Sequence, residues 1–149
     1  MKSISYYIRE GEFYFLMAAL GQKNFYGVSS YEAGMEKDWN QREQIHRILV
    51  DLYQKQYVEW QGDQIRIREP MAGLLKKVAS AKTALWVEKE EKIWCGYEVE
   101  SGYVFVEKGQ HEKEMIKLTP VEAEDIVDYE ELWEDAVIKR IEVSTGKEI

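Results

Sequence analysis

QREQIHRILVDLYQKQYVEWQGDQIRIREPMAGLLKKVA, residues 41–79, changes its apolar period twice, and those changes decide the first reading of the fold. Ile45, Ile48, Leu49 and Leu52 recur at the i, i+3, i+4, i+7 spacing that lines one face of a helix. The period then drops to two. Tyr57-Val58-Glu59-Trp60 and Ile65-Arg66-Ile67-Arg68 alternate on either side of Gln61-Gly62-Asp63-Gln64, a polar link containing the glycine that suits a tight hairpin. Helical spacing returns at Met71, Leu74, Leu75 and Val78, with Pro70 read at the first helical position, where a missing N–H costs nothing. Helix, small hairpin and helix make a wing-like unit.

Upstream, Ile4, Tyr6, Tyr7 and Ile8 form a short β-favouring run, an edge strand or an extended lead-in. Phe13, Leu16, Met17 and Leu20 follow at helical spacing, with Gly21 placed as the stop. Residues 22–38 carry Phe25, Tyr26 and Tyr31 among glycines and serines without a period, and read as a loop. Downstream, residues 84–89, 93–99, 103–107 and 114–118 alternate between short polar links, which predicts an antiparallel meander. Thr119-Pro120-Val121-Glu122 then supplies an N-cap, a first-turn proline and a glutamate at the third position, the pattern of a capping box. It predicts a helix to Val137 that packs through Ile126, Val127, Tyr129, Trp133 and Val137. Lys139 and Arg140 would complement its C-terminal dipole, and residues 141–149 would fray. The expected class is α+β in one domain, 1–149. Residues 1–80 form a helical part with the wing-like hairpin; residues 81–149 form an antiparallel sheet and an acidic C-terminal helix.

The chain of 149 residues, 45% hydrophobic and 32% charged, has enough apolar residues for a core without covalent staples. Its single cysteine, Cys95, excludes an intramolecular disulfide and a multi-cysteine metal site, and fits a reducing cytosol. Residues 1–13 lack the apolar core of a signal peptide, and no run approaches the roughly 18 apolar residues of a membrane span. The expectation is a cytoplasmic protein without membrane insertion. Net charge is −8, unevenly placed: residues 1–70 hold 9 basic and 10 acidic side chains, residues 71–118 hold 8 of each, and residues 119–149 hold 3 and 10. That distribution leaves little of the cationic footprint that binds nucleic acid through counterion release.

Between Glu122 and Asp135 lie eight acidic residues and no basic one, either a solvated helix face or a surface for a basic partner. Nothing in it follows the alternating acidic loop of an EF-hand. In the meander, Trp94 and Glu98 lie on the face opposite Cys95 and Tyr97, while Tyr103 and Phe105 oppose Val104 and Val106, and Trp86 opposes Leu85 and Val87. Either helices cover both faces, or Trp86, Trp94, Tyr103 and Phe105 line a protein-binding surface, since aromatic anchors concentrate in interface hot spots. His46, His111 and Cys95 pair with nothing by spacing, and no phosphate-cradling glycine loop, GxSxG or HExxH is present. No catalytic residue, cofactor or metal is expected. A DNA-binding reading would make residues 41–56 the recognition helix, with Arg42, Arg47 and Lys55 offset by Glu43 and Asp51, and with Arg66 and Arg68 on the wing.

The order of elements from Ile45 through Tyr57-Val58-Glu59-Trp60, Ile65-Arg66-Ile67, Glu69-Pro70 and Leu74-Leu75 to the meander and Thr119-Pro120 resembles the EspG-type chaperones of type VII (ESX) secretion, including their shorter Gram-positive relatives. EspG proteins have two related halves, and this chain has room for about one. The resemblance therefore implies either a half that acts alone or two copies that associate into a homodimer. It implies a cytosolic, non-catalytic adaptor that binds helical secretion substrates through its sheet and C-terminal helices. The partner-binding candidates from the residues themselves are Trp86, Trp94, Tyr103 and Phe105 on the sheet, with Glu130, Glu131, Trp133 and Glu134 on the acidic segment. Two alternatives stand beside it: an immunity protein that holds a cognate toxin through the acidic segment, and a winged-helix DNA-binding regulator.

Overall fold

The computed structural model describes residues 4–19, 42–62, 64–108 and 115–149. The expected loop at 22–38 and His111 lie outside them. In chain order the elements are strand β1 (Tyr6–Arg9), helices α1 (Glu10–Ala19) and α2 (Arg42–Gln54), strands β2 (Val58–Gln61) and β3 (Gln64–Ile67), and helix α3 (Met71–Ser80). Strands β4 (Thr83–Lys89), β5 (Lys92–Val99), β6 (Gly102–Lys108) and β7 (Met115–Glu122) follow, then a 3-10 helix (Ala123–Tyr129) and strand β8 (Val137–Glu142). β2 and β3 make a separate hairpin, and the other six strands make one antiparallel sheet in the order β1-β7-β6-β5-β4-β8. Four of these strands form the meander. β1 extends it past β7, with Tyr6 opposite Leu118, and β8 extends it past β4, with Ile138 opposite Val87.

Alternation along the strands gives the sheet two different faces. Ala84, Cys95, Tyr97, Val104, Val106, Ile116, Leu118 and Ile141 point to one side and are buried against α1, α2 and α3. The helices present matching stripes: Phe13, Leu16 and Met17 from α1, Ile48 and Leu52 from α2, and Met71, Leu74, Leu75 and Val78 from α3, while Lys76 and Lys77 stay exposed. Fully burying side chains of this size is worth about 1.5–3 kcal/mol each, so this face carries most of the fold's apolar stabilisation.

Polar groups fix how the helices enter and leave. The Glu12 carboxylate is buried at the third position of α1, where it accepts a 2.8 Å hydrogen bond from the Arg9 backbone N–H and pairs with the Lys55 ammonium. One side chain thereby closes a helix start and ties β1–α1 to the end of α2. α2 ends in a Schellman motif. The N–H of Gln56 reaches the Tyr53 carbonyl and that of Tyr57 the Leu52 carbonyl, both at 3.0 Å, with Gln56 in the left-handed region at φ 65°. α3 begins one residue later than its proline implied: Pro70 occupies the N-cap, and the Glu69 carboxylate accepts from the Gly73 N–H at 3.1 Å.

The C-terminal fifth departs most from the sequence reading. No long helix starts at Thr119: Thr119 and Pro120 lie inside β7, opposite Phe105 and Val104. The period of two from Ile116 to Val121 overrides the capping-box pattern, because it buries Ile116, Leu118, Thr119 and Val121 on the two faces of the sheet. Pro120 is tolerated because β1 stops pairing at Leu118, leaving β7 an edge on that side. Beyond it the backbone makes a 3-10 turn over Ala123–Tyr129 and tight turns to Asp135, whose φ is 66°. An α-helix here would stack Glu124 on Asp128, Glu130 on Glu134 and Glu131 on Asp135, like-charge pairs at i, i+4 with no cation between them. Val137 opens β8, with Lys139 and Arg140 inside that strand rather than at a helix end. The tail expected to fray is instead held against the sheet. Ile141 and Val143 are buried, and the Val143 N–H donates to the Lys82 carbonyl at 2.8 Å.

Because Gln56 takes a conformation that disfavours a side chain, Gln56→Gly is expected to raise stability by about 0.5–1 kcal/mol in urea unfolding. A loss of stability would show that the Gln56 side chain contributes more than its backbone strain costs.

Candidate functional site

The face of the sheet turned away from the helices carries Trp94, Tyr103 and Phe105. Register pairs Val87 with Trp94, Trp94 with Glu107, and Gly96 with Phe105, so these side chains share one side. Gly96 is there for space: a Cβ built on it would sit 2.5 Å from Phe105 Cε1. The Phe105 ring lies across the gap, stacked 5.6 Å from Tyr103. Gly102 serves a second close approach at the strand's start, where a Cβ would stand 2.2 Å from the Val121 carbonyl oxygen.

This aromatic face is closed by the chain itself. Residues 123–136 cross it, and Tyr129 stacks 4.8 Å from Phe105 while Trp133 meets Phe105 edge-on at 5.3 Å and Trp94 at 6.1 Å. Val87, Trp94, Phe105, Val121 and Trp133 are buried in one cluster, with Tyr103, Ile126, Tyr129 and Ala136 packed around it. Burial, then the nearby Glu107 and Asp128 carboxylates, raises the Tyr129 phenol pKa above its ordinary value. Lys89 adds a polar tie, its ammonium donating to the Leu132 carbonyl at 3.0 Å.

The predicted partner-binding residues therefore separate into three groups. Trp94, Phe105 and Trp133 are buried and Tyr103 half-buried, all inside the aromatic cluster, so they line no open surface in this conformation. Trp86 does not join them. It pairs with Cys95, on the helix side, half-buried with its indole N–H donating to Glu88. Glu130, Glu131 and Glu134 are exposed on the outer side of the 123–136 segment.

Apolar side chains in and just after this segment are exposed too, two of them, Val127 and Val137, assigned to packing by the helical reading. Val127 is 58% and Val137 63% exposed, and Leu132 and Ile138 are also exposed. A period of 3.6 placed Val127 and Val137 on the inner face; the 3-10 turn and the switch to a strand turn them outward. The exposed surface of residues 122–135 is thus acidic, with Val127 and Leu132 set among the carboxylates, while Val137 and Ile138, successive in β8, are exposed on opposite faces of the sheet.

Other features do not assemble into chemistry. Burial pushes the Cys95 thiol up to about 12, opposed in part by a hydrogen bond with Tyr97, which leaves it a protonated core side chain. No group of three metal-ligating side chains comes together among the described residues, and none of the described helices is long and apolar enough to cross a membrane. His46 is exposed on α2. On the hairpin, Arg66 and Arg68 lie 3.8 and 4.0 Å from Glu59 carboxylate oxygens, which offsets the charge a wing would turn toward phosphate. A cleft of about 530 Å³ between the end of α3 and the sheet is lined by Lys77 and Lys82 but also by Glu98 and Glu100, and Glu98 is held by Arg140 at 2.8 Å. Its charges balance, so it selects neither anion nor cation. No family model, curated protein or solved structure matches this chain.

Gly96→Ala places a methyl group where the Phe105 ring lies, and is expected to cost about 1–3 kcal/mol of stability by overpacking. Unchanged thermal and urea midpoints for that variant would contradict the contact.

Proposed function

We propose that the chain is a non-catalytic, cytosolic protein-binding adaptor whose contact surface is the acidic, aliphatic-dotted exterior of residues 122–138. One observation carries the reading: Val127 and Leu132 stay exposed among eight carboxylates between Glu122 and Asp135, and Ile138 of β8 is exposed on that same face of the sheet. Exposed aliphatic groups provide area to bury against a partner, and a field of one sign selects and steers a partner of the other. The partner is accordingly a protein with a basic face and its own apolar anchors. The EspG-type resemblance narrows that class to a helical substrate of type VII secretion, kept soluble and handed on. The sheet aromatics expected to contact it give way, in this reading, to the aliphatic groups of the acidic exterior.

A second reading, an immunity protein that holds a basic toxin, draws on the exposure of Glu130, Glu131 and Glu134 on one short segment. Both readings place the partner on the same surface and differ in its identity. Affinity capture of the tagged chain from its native cytosol, with mass spectrometry of what stays bound, distinguishes them: a helical secreted protein fits the adaptor, a basic toxin domain the immunity protein. In either case the variant Glu130→Lys/Glu131→Lys/Glu134→Lys is expected to capture the partner about tenfold less well at low salt, because steering is lost. Capture unchanged by the charge reversal would remove the acidic surface from the account.

A further inference from the structure

The closure over the aromatic face is poorly satisfied. Trp94 is 1% and Trp133 7% exposed, and neither indole N–H has a hydrogen-bond acceptor among the described residues. A buried donor without a partner forfeits the bond it had with water, and two such losses fall in one small cluster. The covering backbone adds little of its own, since a 3-10 turn has poorer hydrogen-bond geometry than an α-helix. Its seven carboxylates repel one another, and Lys89 bonds a carbonyl there.

The sheet beneath has other support. Its opposite face holds the larger core against three helices, and the covering segment is flanked by β7 and β8, both paired into the sheet. Release of residues 123–136 therefore requires no strand to leave.

We propose that residues 123–136 form a displaceable strap that opens as a local unit while the six-stranded sheet stays folded, covering and uncovering Trp94, Tyr103 and Phe105. Opening spreads the carboxylates apart. Low salt favours the open strap, and added salt, by screening the repulsion, favours the closed one. This opening is a property of the chain alone and does not depend on the protein-binding reading.

Amide hydrogen exchange on the full chain tests it. The amides of Glu130, Trp133, Glu134 and Ala136, which bond within the strap, are expected to exchange at least about tenfold faster than those of β5 and β6. Their exchange should slow about twofold or more between roughly 10 mM and roughly 1 M salt. In Trp133→Ala the strap amides are expected to lose protection while β5 and β6 keep theirs. Strap amides that exchange only as slowly as the sheet, or at a rate indifferent to salt, would overturn the proposal. So would loss of protection across β5 and β6 in Trp133→Ala.

Discussion

The contact between the Phe105 ring and Gly96 fixes which way the centre of the sheet faces. The two residues are directly opposed, and any side chain at position 96 would meet the ring. Because successive side chains alternate, that one pairing sends Trp94 to the outer face with Phe105 and sends Cys95 and Tyr97 to the helix side. A slip of one residue would turn Trp94 toward the helices and Tyr97 toward the aromatic face. Both cores of the molecule follow from the register held there.

The two cores are unequal, and their inequality organises the surface. On the helix side, stripes from α1, α2 and α3 meet a continuous, largely aliphatic sheet face that includes Tyr97, and Glu12 with Lys55 ties the first strand and helix to the second helix. On the other side a single short segment supplies the cover. Trp133 and Tyr129 reach inward to the aromatic cluster while the carboxylates between them stay in water. The same fourteen or so residues therefore close one core and present the chain's acidic exterior, an economy that small domains reach when apolar surface is limited.

How much of this the sequence disclosed depended on whether a pattern was local. The strands of the meander were legible because each alternates over several residues between polar links, and the stripe of Met71, Leu74, Leu75 and Val78 marked the buried face of α3. Which aromatics share a face was not legible, since that depends on pairing between strands: Trp86 looked equivalent to Trp94 until Cys95 was placed opposite it. Thr119-Pro120-Val121-Glu122 misled because a capping box and the end of an edge-exposed strand can have the same four residues. The alternation from Ile116 to Val121 was the competing signal, and burial on both sheet faces made it win. Glu12 left no trace in sequence. Its partner Lys55 is 43 residues away and meets it only once α1 and α2 have packed.

The claim on which the rest stands is that the chain covers its own aromatic face, so that the acidic exterior, and not the sheet aromatics, meets other molecules. A nuclear Overhauser experiment on the full chain, read from the Trp133 indole, tests it most directly. The account predicts cross-peaks from the Trp133 ring to Phe105 and Tyr129, whose ring centroids lie 5.3 and 5.2 Å away, together with an upfield Gly96 Hα under the Phe105 ring. A Trp133 indole with solvent-like shifts and no cross-peak to either ring would contradict it and return Trp94, Tyr103 and Phe105 to the exposed surface.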